Sequence, residues 1–177
     1  MRVISGKYKG KKLIGFDIDG TRPTMDRIKE SLFAMIQDRI KDSIILDLFA
    51  GSGSLGIEAL SNGASEAYFI DNNVELINII KQNTLNIKEK AVIIRSDYNS
   101  ALEMFKNSNI KFNIIFLDPP YKLNLINDCL NKIIEYSLLS SRGIIVCEYE
   151  NEQVKNDTLK LIKSKKYGSK NVSIYEL

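Results

Sequence analysis

At 177 residues and 44% apolar content, the chain can bury one full hydrophobic core but is too short for two ordinary domains. It contains no histidine, which excludes imidazole bases, His-based nucleophile triads and His-ligated metal sites; chemistry is left to carboxylates, Lys, Tyr, Cys or backbone groups, and no metal is expected. The formal charge of +3 is uneven, with ten Lys/Arg against five Asp/Glu in residues 1–41 and fifteen against seventeen in the rest, so the front end is the basic end.

Residues 1–41 read as a basic extension of hairpin and helix, and residues 42–177 as the core of a single globular unit. Arg2-Val3-Ile4 and Lys12-Leu13-Ile14-Gly15-Phe16 flank Gly6-Lys7-Tyr8-Lys9-Gly10, the pattern of a β-hairpin or extended arm. Arg2, Lys7, Lys9, Lys11 and Lys12 occur with no acidic residue among them, which points to contact with RNA phosphates, although a solvated basic hairpin would look the same. Arg22-Pro23-Thr24 then leads into a helix, with Thr24 as N-cap, Asp26 in the first turn, and Met25, Ile28, Leu32, Met35 and Ile36 along one buried face. Arg22, Arg27 and Glu30 lie off that face, free to reach a ligand or water.

From residue 43 onward, apolar runs alternate with amphipathic segments, the signature of an α/β fold with a parallel sheet and crossover helices. Strands are predicted at 44–48, 67–70, 91–94, 112–117 and 143–148, with helices near 54–61, 73–86, 98–106 and 123–138. A short helical piece near 153–156 precedes strands at about 158–166 and 171–176, which the short gap between them should pair antiparallel. The expected whole is a Rossmann-like, seven-stranded, mostly parallel sheet. Cys129 and Cys147 share no C-x-x-C spacing and read as small core residues. With no apolar leader at the start and no run of membrane-spanning length, the expectation is a cytoplasmic protein, and nothing demands more than a monomer.

Two stretches carry the chemistry. Asp47-Leu48-Phe49-Ala50-Gly51-Ser52-Gly53-Ser54-Leu55-Gly56 sits where the first core strand meets its helix, and glycines there let a ligand approach the backbone at the carboxyl edge of the sheet. Asp71, at the end of the second strand, suits the two hydroxyls of a ribose, and Asp97, at the end of the third, suits an adenine amino group; either could instead be a helix N-cap. With the adjacent Asn72 and Tyr98 these residues describe an adenosine site, common to NAD and S-adenosylmethionine.

The second stretch is Asp118-Pro119-Pro120-Tyr121, at the polar end of the run Phe112–Leu117. Two prolines prevent the strand from continuing and stiffen the loop. Asp118 and the Pro119 carbonyl can each accept one hydrogen of an exocyclic amine, while Tyr121 stacks on the base. A buried turn with a stacking Tyr is the plainer alternative. An amine clamp is of no use to a hydride-transfer enzyme and serves a methyl donor, which favours S-adenosylmethionine.

With both stretches in place the chain resembles the class I S-adenosylmethionine-dependent methyltransferases that act on exocyclic amines. The run from Arg2 to Leu13, Thr21-Arg22-Pro23-Thr24-Met25-Asp26-Arg27 and Glu30-Ser31-Leu32-Phe33 narrow the likeness to the bacterial 16S rRNA guanine-N2 methyltransferase family, over nearly the whole chain. That resemblance implies methylation of N2 of one guanine in 16S rRNA, within an assembling small ribosomal subunit. It also implies that Phe49, Ala50, Gly51, Ser52 and Gly53 line the methionine part of the cofactor, that Asp71 holds its ribose and Asp97 its adenine, and that Asp118 to Tyr121 hold the guanine. Thr21, Arg22, Thr24 and Asp26 would border the cofactor or the base. Asn73 stands where the resemblance leads one to expect a carboxylate, and Tyr121 where Phe is also expected. The expected reaction is in-line displacement, the amine attacking the sulfonium methyl, on a flipped or unpaired base. The rivals are the same chemistry on adenine N6, a non-catalytic adenosine- and RNA-binding module, and, on the glycine pattern alone, an NAD oxidoreductase.

Overall fold

A computed structural model of the chain describes residues 1–15, 22–120, 125–150 and 154–177, with the backbone alone for residues 22–25. Seven strands form one sheet in the order β3-β2-β1-β4-β5-β7-β6. These are β1 (Ile44–Asp47), β2 (Glu66–Asp71), β3 (Lys90–Arg95), β4 (Phe112–Leu117), β5 (Leu139–Tyr149), β6 (Lys160–Tyr167) and β7 (Lys170–Glu176). The first five are mutually parallel, β7 runs antiparallel to β5, and β6 pairs with β7 to close the hairpin. The α/β class and the seven-stranded, mostly parallel sheet expected from the alternation are therefore present.

Period-two alternation along the central strands sends side chains to two cores. Ile45, Phe69, Ile114, Phe116, Ile144, Val146, Val172 and Ile174 pack on one face with α1 (Arg22–Ile40), α2 (Ser54–Ser61) and α3 (Val74–Thr84). Leu46, Ile70, Ile115, Leu117, Ile145 and Cys147 pack on the other with α4 (Tyr98–Asn107) and α5 (Ile126–Glu135). Both cysteines are buried and form no disulfide. Val3 and Leu13 of the arm share the first core with Ile28, Leu32, Phe33, Ile36 and Ile40 of α1, so the extension is packed onto the sheet. The arm itself closes with a single antiparallel bridge, Arg2 to Lys12, flanked by Val3 N–H to the Lys11 carbonyl at 2.9 Å and Leu13 N–H to the Met1 carbonyl at 3.1 Å.

Four local expectations are corrected. α1 begins at Arg22, which puts Thr24 inside the first turn instead of at the cap and leaves Asp26 beyond that turn; Pro23 suits this start because a first-turn N–H has no intrahelical acceptor to lose. The second strand edge moves too, since β5 starts at Leu139, not Gly143. Ser140-Ser141-Arg142-Gly143 looks like a turn but is a bulge with Arg142 at φ 62°, after which Ile144 pairs with Ile114. α5 stops at Glu135, short of the expected 138, because Ser137 turns to φ 53°. Finally, the described part of the short helix expected at 153–156 is not helical: Lys155 N–H donates to Asn127 Oδ1, and Asn156 Oδ1 accepts from Thr158 and Leu159, a turn that competes with helix. Gln153 lies outside the described residues.

Candidate active site

At the carboxyl edge of the sheet a cavity of about 1010 Å³ opens between the strand ends and α1. Asp47, Phe49, Ala50, Gly51 and Ser52 line it, as do Asp71, Asn72, Asp97 and Tyr98, and so do Asp118, Pro119 and Pro120. The glycine turn and the proline corner thus face one space. Thr21 and Tyr121 lie outside the described residues, as do the side chains of Arg22 and Thr24. Gly53 is not in the cavity wall; it sits at the start of α2 with φ 79°.

The turn after β1 is built by its own hydrogen bonds. Gly51 adopts φ 55°, left-handed backbone that favours glycine, and its N–H donates to Asp71 Oδ2 at 3.0 Å. Asp71 Oδ1 accepts from Asn73 N–H at 2.9 Å, and Asn73 caps α3 through Glu75 N–H. Asp71 is therefore no N-cap; its carboxylate stands in the cavity wall, braced by backbone. Asp97 is one: it caps α4 by accepting from Ser100 N–H at 3.0 Å and Ser100 Oγ at 2.8 Å, and those bonds hold its pKa below the usual carboxylate value. It also lines the cavity, so the cap and a ligand-facing position coincide. Between them the rings of Phe49 and Tyr98 meet at 5.8 Å, with the Tyr98 hydroxyl donating to Asp128, a fixed apolar wall that suits a flat base.

Asp47, only 2% exposed, accepts from Gly56 N–H at 3.0 Å, and burial pushes its carboxyl up to about 7, against the lowering effect of that bond. A carboxylate thus already occupies the N-terminus of α2, where a dinucleotide's pyrophosphate would need to lie. The third glycine has a packing role, because a Cβ on Gly56 would stand 2.3 Å from the Phe69 ring. Asp118 is partly exposed to the cavity; desolvation and the Glu148 charge raise its pKa well above the ordinary carboxylate range, opposed by Lys170. Among the described lining residues, Asp26, Asp47, Asp71, Asp97, Asp118 and Glu148 face only two cations, Lys29 and Lys170. Such a wall suits a positively charged ligand better than an anionic one.

Three site features escaped the sequence reading. Glu148 and Lys170 line the cavity and are paired at 2.7 Å. Met1 also reaches its wall. Under the arm, Lys29 and the fully buried Glu58 form an ion pair at 3.0 Å. Glu58 accepts from the N–H groups of Ile4 and Ser5, while Lys29 donates to the Arg2 carbonyl and Ser54 Oγ. The hint was present in Ser54-Leu55-Gly56-Ile57-Glu58-Ala59-Leu60, an acid amid a helix buried on most sides.

The basic arm is less free than its composition implies. Lys7 pairs with Glu89 at 2.6 Å, Arg2 approaches Asp26 at 3.5 Å, and Lys11 donates to the Leu85 carbonyl. Lys9 and Lys12 are exposed, as is Arg27 on α1. None of these cations lines the cavity; Lys7 and Lys11 meet Glu89, just before β3, and Leu85, just past α3, away from the carboxyl edge. Among the described residues, no helix is long and apolar enough to cross a membrane, and no cluster of His, Cys, Asp and Glu fits a metal ion.

Comparison with known proteins finds relatives in both sequence and fold. Over 181 residues the chain is 41% identical to the "Putative rRNA methyltransferase YlbH" of Bacillus subtilis (strain 168), covering 99% of this chain and 98% of that one. It is 34% identical over 183 residues to the "Ribosomal RNA small subunit methyltransferase D" of Haemophilus influenzae, covering 99% and 93%. A solved structure, the "Putative methyltransferase yhhF from Escherichia coli", superposes with a TM-score of 0.87 at 31% identity, over 99% of this chain and 96% of that one. The model of the family described as "Conserved hypothetical protein 95" matches residues 1–176, and the chain belongs to that family.

Proposed function

We propose that the protein is an S-adenosylmethionine-dependent methyltransferase acting on small-subunit rRNA, and that its target is the exocyclic N2 of a guanine in 16S rRNA. The observation that carries this reading is the shared cavity: the glycine turn at Phe49–Ser52 and the corner at Asp118–Pro120 line one space at the carboxyl edge of the sheet. Bound S-adenosylmethionine would supply an electrophilic methyl on a sulfonium centre. Asp71 and Asp97 would hold its ribose and adenine against the Phe49 and Tyr98 rings, and the acidic wall favours its positive charge. Asp47 at the head of α2 weighs against a dinucleotide in the same place.

The protein's contribution to the transfer is positional. Guanine N2 is a poor nucleophile, because its lone pair is delocalised into the ring. Asp118 and the Pro119 carbonyl accept its two hydrogens, favour the pyramidal amine and aim the lone pair along the strand ends towards the glycine turn. The proton released from the amine passes to Asp118 or to water. Only a base outside a duplex reaches this corner, so the target guanine is unpaired or flipped when modified. Lys9, Lys12 and Arg27, all exposed, together with Arg2, Lys7, Lys11 and Arg22, would meet RNA phosphates in an assembling small subunit.

Labelled methyl transfer to small subunits from cells lacking this gene, against naked DNA, tests the reading. Mass mapping of the product should find N2-methylguanosine in 16S rRNA. N6-methyladenine, or binding of the donor without turnover, would overturn it in favour of the rival amine or of a non-catalytic module.

A further inference from the structure

We propose that Glu148 and Lys170 read the Watson–Crick edge of the target base, Glu148 accepting its N1–H and Lys170 donating to its O6, beside the amine held by Asp118 and Pro119. This inference rests on the methyltransferase reading above and adds what selects the base. β4, β5 and β7 are neighbours in the sheet. Leu117 pairs with Cys147, the last pair of β4 with β5, and Asp118 and Glu148 each come one residue later and both line the cavity, on strands about 4.8 Å apart. Glu148 pairs with Val172, and Lys170, two residues away, lies on the same face. Asp118 lies two residues after Phe116, Glu148 two after Val146 and Lys170 two before Val172, and those three apolar residues are all in the core that α1 covers. The three charged groups therefore form one row along the cavity edge, in the order acceptor, acceptor, donor.

That order complements one amino-bearing base. Guanine presents an amine donor at N2, a donor at N1 and an acceptor at O6. Adenine offers its amine and then a lone pair at N1, which would face the Glu148 carboxylate with like polarity; cytosine offers its amine and then two acceptors. Glu148 and Lys170 already converge to 2.7 Å, so a base inserted at Asp118 meets a preassembled pair whose charges balance each other. Their side chains are 15% and 29% exposed, open enough for contact and buried enough for an unmatched hydrogen-bonding group to be costly.

The test compares small subunits carrying guanosine or 2,6-diaminopurine riboside at the methylated position, introduced by ligating a synthetic fragment. The analogue keeps the N2 amine but replaces the N1 hydrogen with a lone pair and O6 with an amine. The parent enzyme should prefer guanosine by roughly 100-fold or more in kcat/KM. In Glu148→Gln, whose amide can turn to donate, the preference should fall below about tenfold, and Lys170→Met should narrow it as well. S-adenosylhomocysteine affinity should change less than about twofold in both, since neither residue belongs to the adenosine half. A purely structural pair would lower both substrates together and leave the ratio intact, overturning the inference while N2 methylation by the parent stands. Failure of the parent to make N2-methylguanosine would instead overturn the function and this inference with it. Melting temperatures identify any variant that fails to fold, and the other variant then carries the ratio.

Discussion

Asp97 and Asp118 are proposed for the same task, accepting hydrogens from an amine, yet the protein treats them in opposite ways. Asp97 is exposed at a helix N-terminus, and two bonds from Ser100 keep it ionised to lower pH than usual. Asp118 lies among buried groups and like charges that raise its pKa, with Lys170 as the opposing cation. The half of the cavity proposed for adenosine is thus braced by backbone and hydroxyl donors from its own chain, whereas the half proposed for the base is governed by a balance of charges. The lesson is that the halves should fail separately: one through affinity, the other through rate and pH.

Removing the carboxylate of the base half should have the largest effect. Asp118→Ala is expected to lower methyl transfer about 1000-fold while changing cofactor affinity less than about threefold, as single-turnover kinetics with calorimetry would show. Equal losses in both would erase the division between halves. Asp47, which borders both, tests the electrostatics. Its folded pKa of about 7 stands above the ordinary 3.8, so any stability that this group contributes is present below pH 3.8 and lost as the pH rises towards 7. Asp47→Asn keeps an acceptor for Gly56 N–H and removes the buried charge. Relative to the parent without cofactor, it should gain stability between pH 4 and 8, by at most about 4 kcal/mol in denaturant titrations.

Smaller effects sharpen the comparison from the other side. Asp71→Ala should weaken S-adenosylhomocysteine binding about 30-fold, since it removes both the proposed ribose acceptor and the brace on Gly51, and Asp97→Ala about fivefold. Neither should alter the rate at saturating cofactor by more than about threefold. The mildest test is pH itself. As pH falls through the raised pKa of Asp118, its carboxyl becomes protonated and the proposed charged amine acceptor becomes a weaker, neutral one that can no longer take up the amine proton; the rate should fall about tenfold per unit on an acid limb above the ordinary carboxylate range. Cofactor binding through Asp97, whose pKa is lowered, should persist across that limb. A limb shared by both would contradict the contrast.

Much of the architecture was legible along the chain because its signals are local. Runs such as Phe112–Leu117 and the glycines after Asp47 carry period and turn chemistry within a few residues, and they located the strand ends that line the cavity. Asp97 shows how far such reading reaches: the residue was found, as were both of its possible roles, and the structure shows a cap that also faces the cavity. What the sequence by itself determined was the sheet, its carboxyl edge and the two loops brought to that edge. Only the tertiary structure decided which charges meet. Glu58 under Lys29, Glu89 beside Lys7 and Lys170 on Glu148 are partners between 22 and 82 residues apart, and no local pattern specifies them. Glu148 meets Lys170 because the sheet order places β7 against β5, and Glu58 meets Lys29 because a charge carried into a core must find its counter-charge wherever the chain brings one.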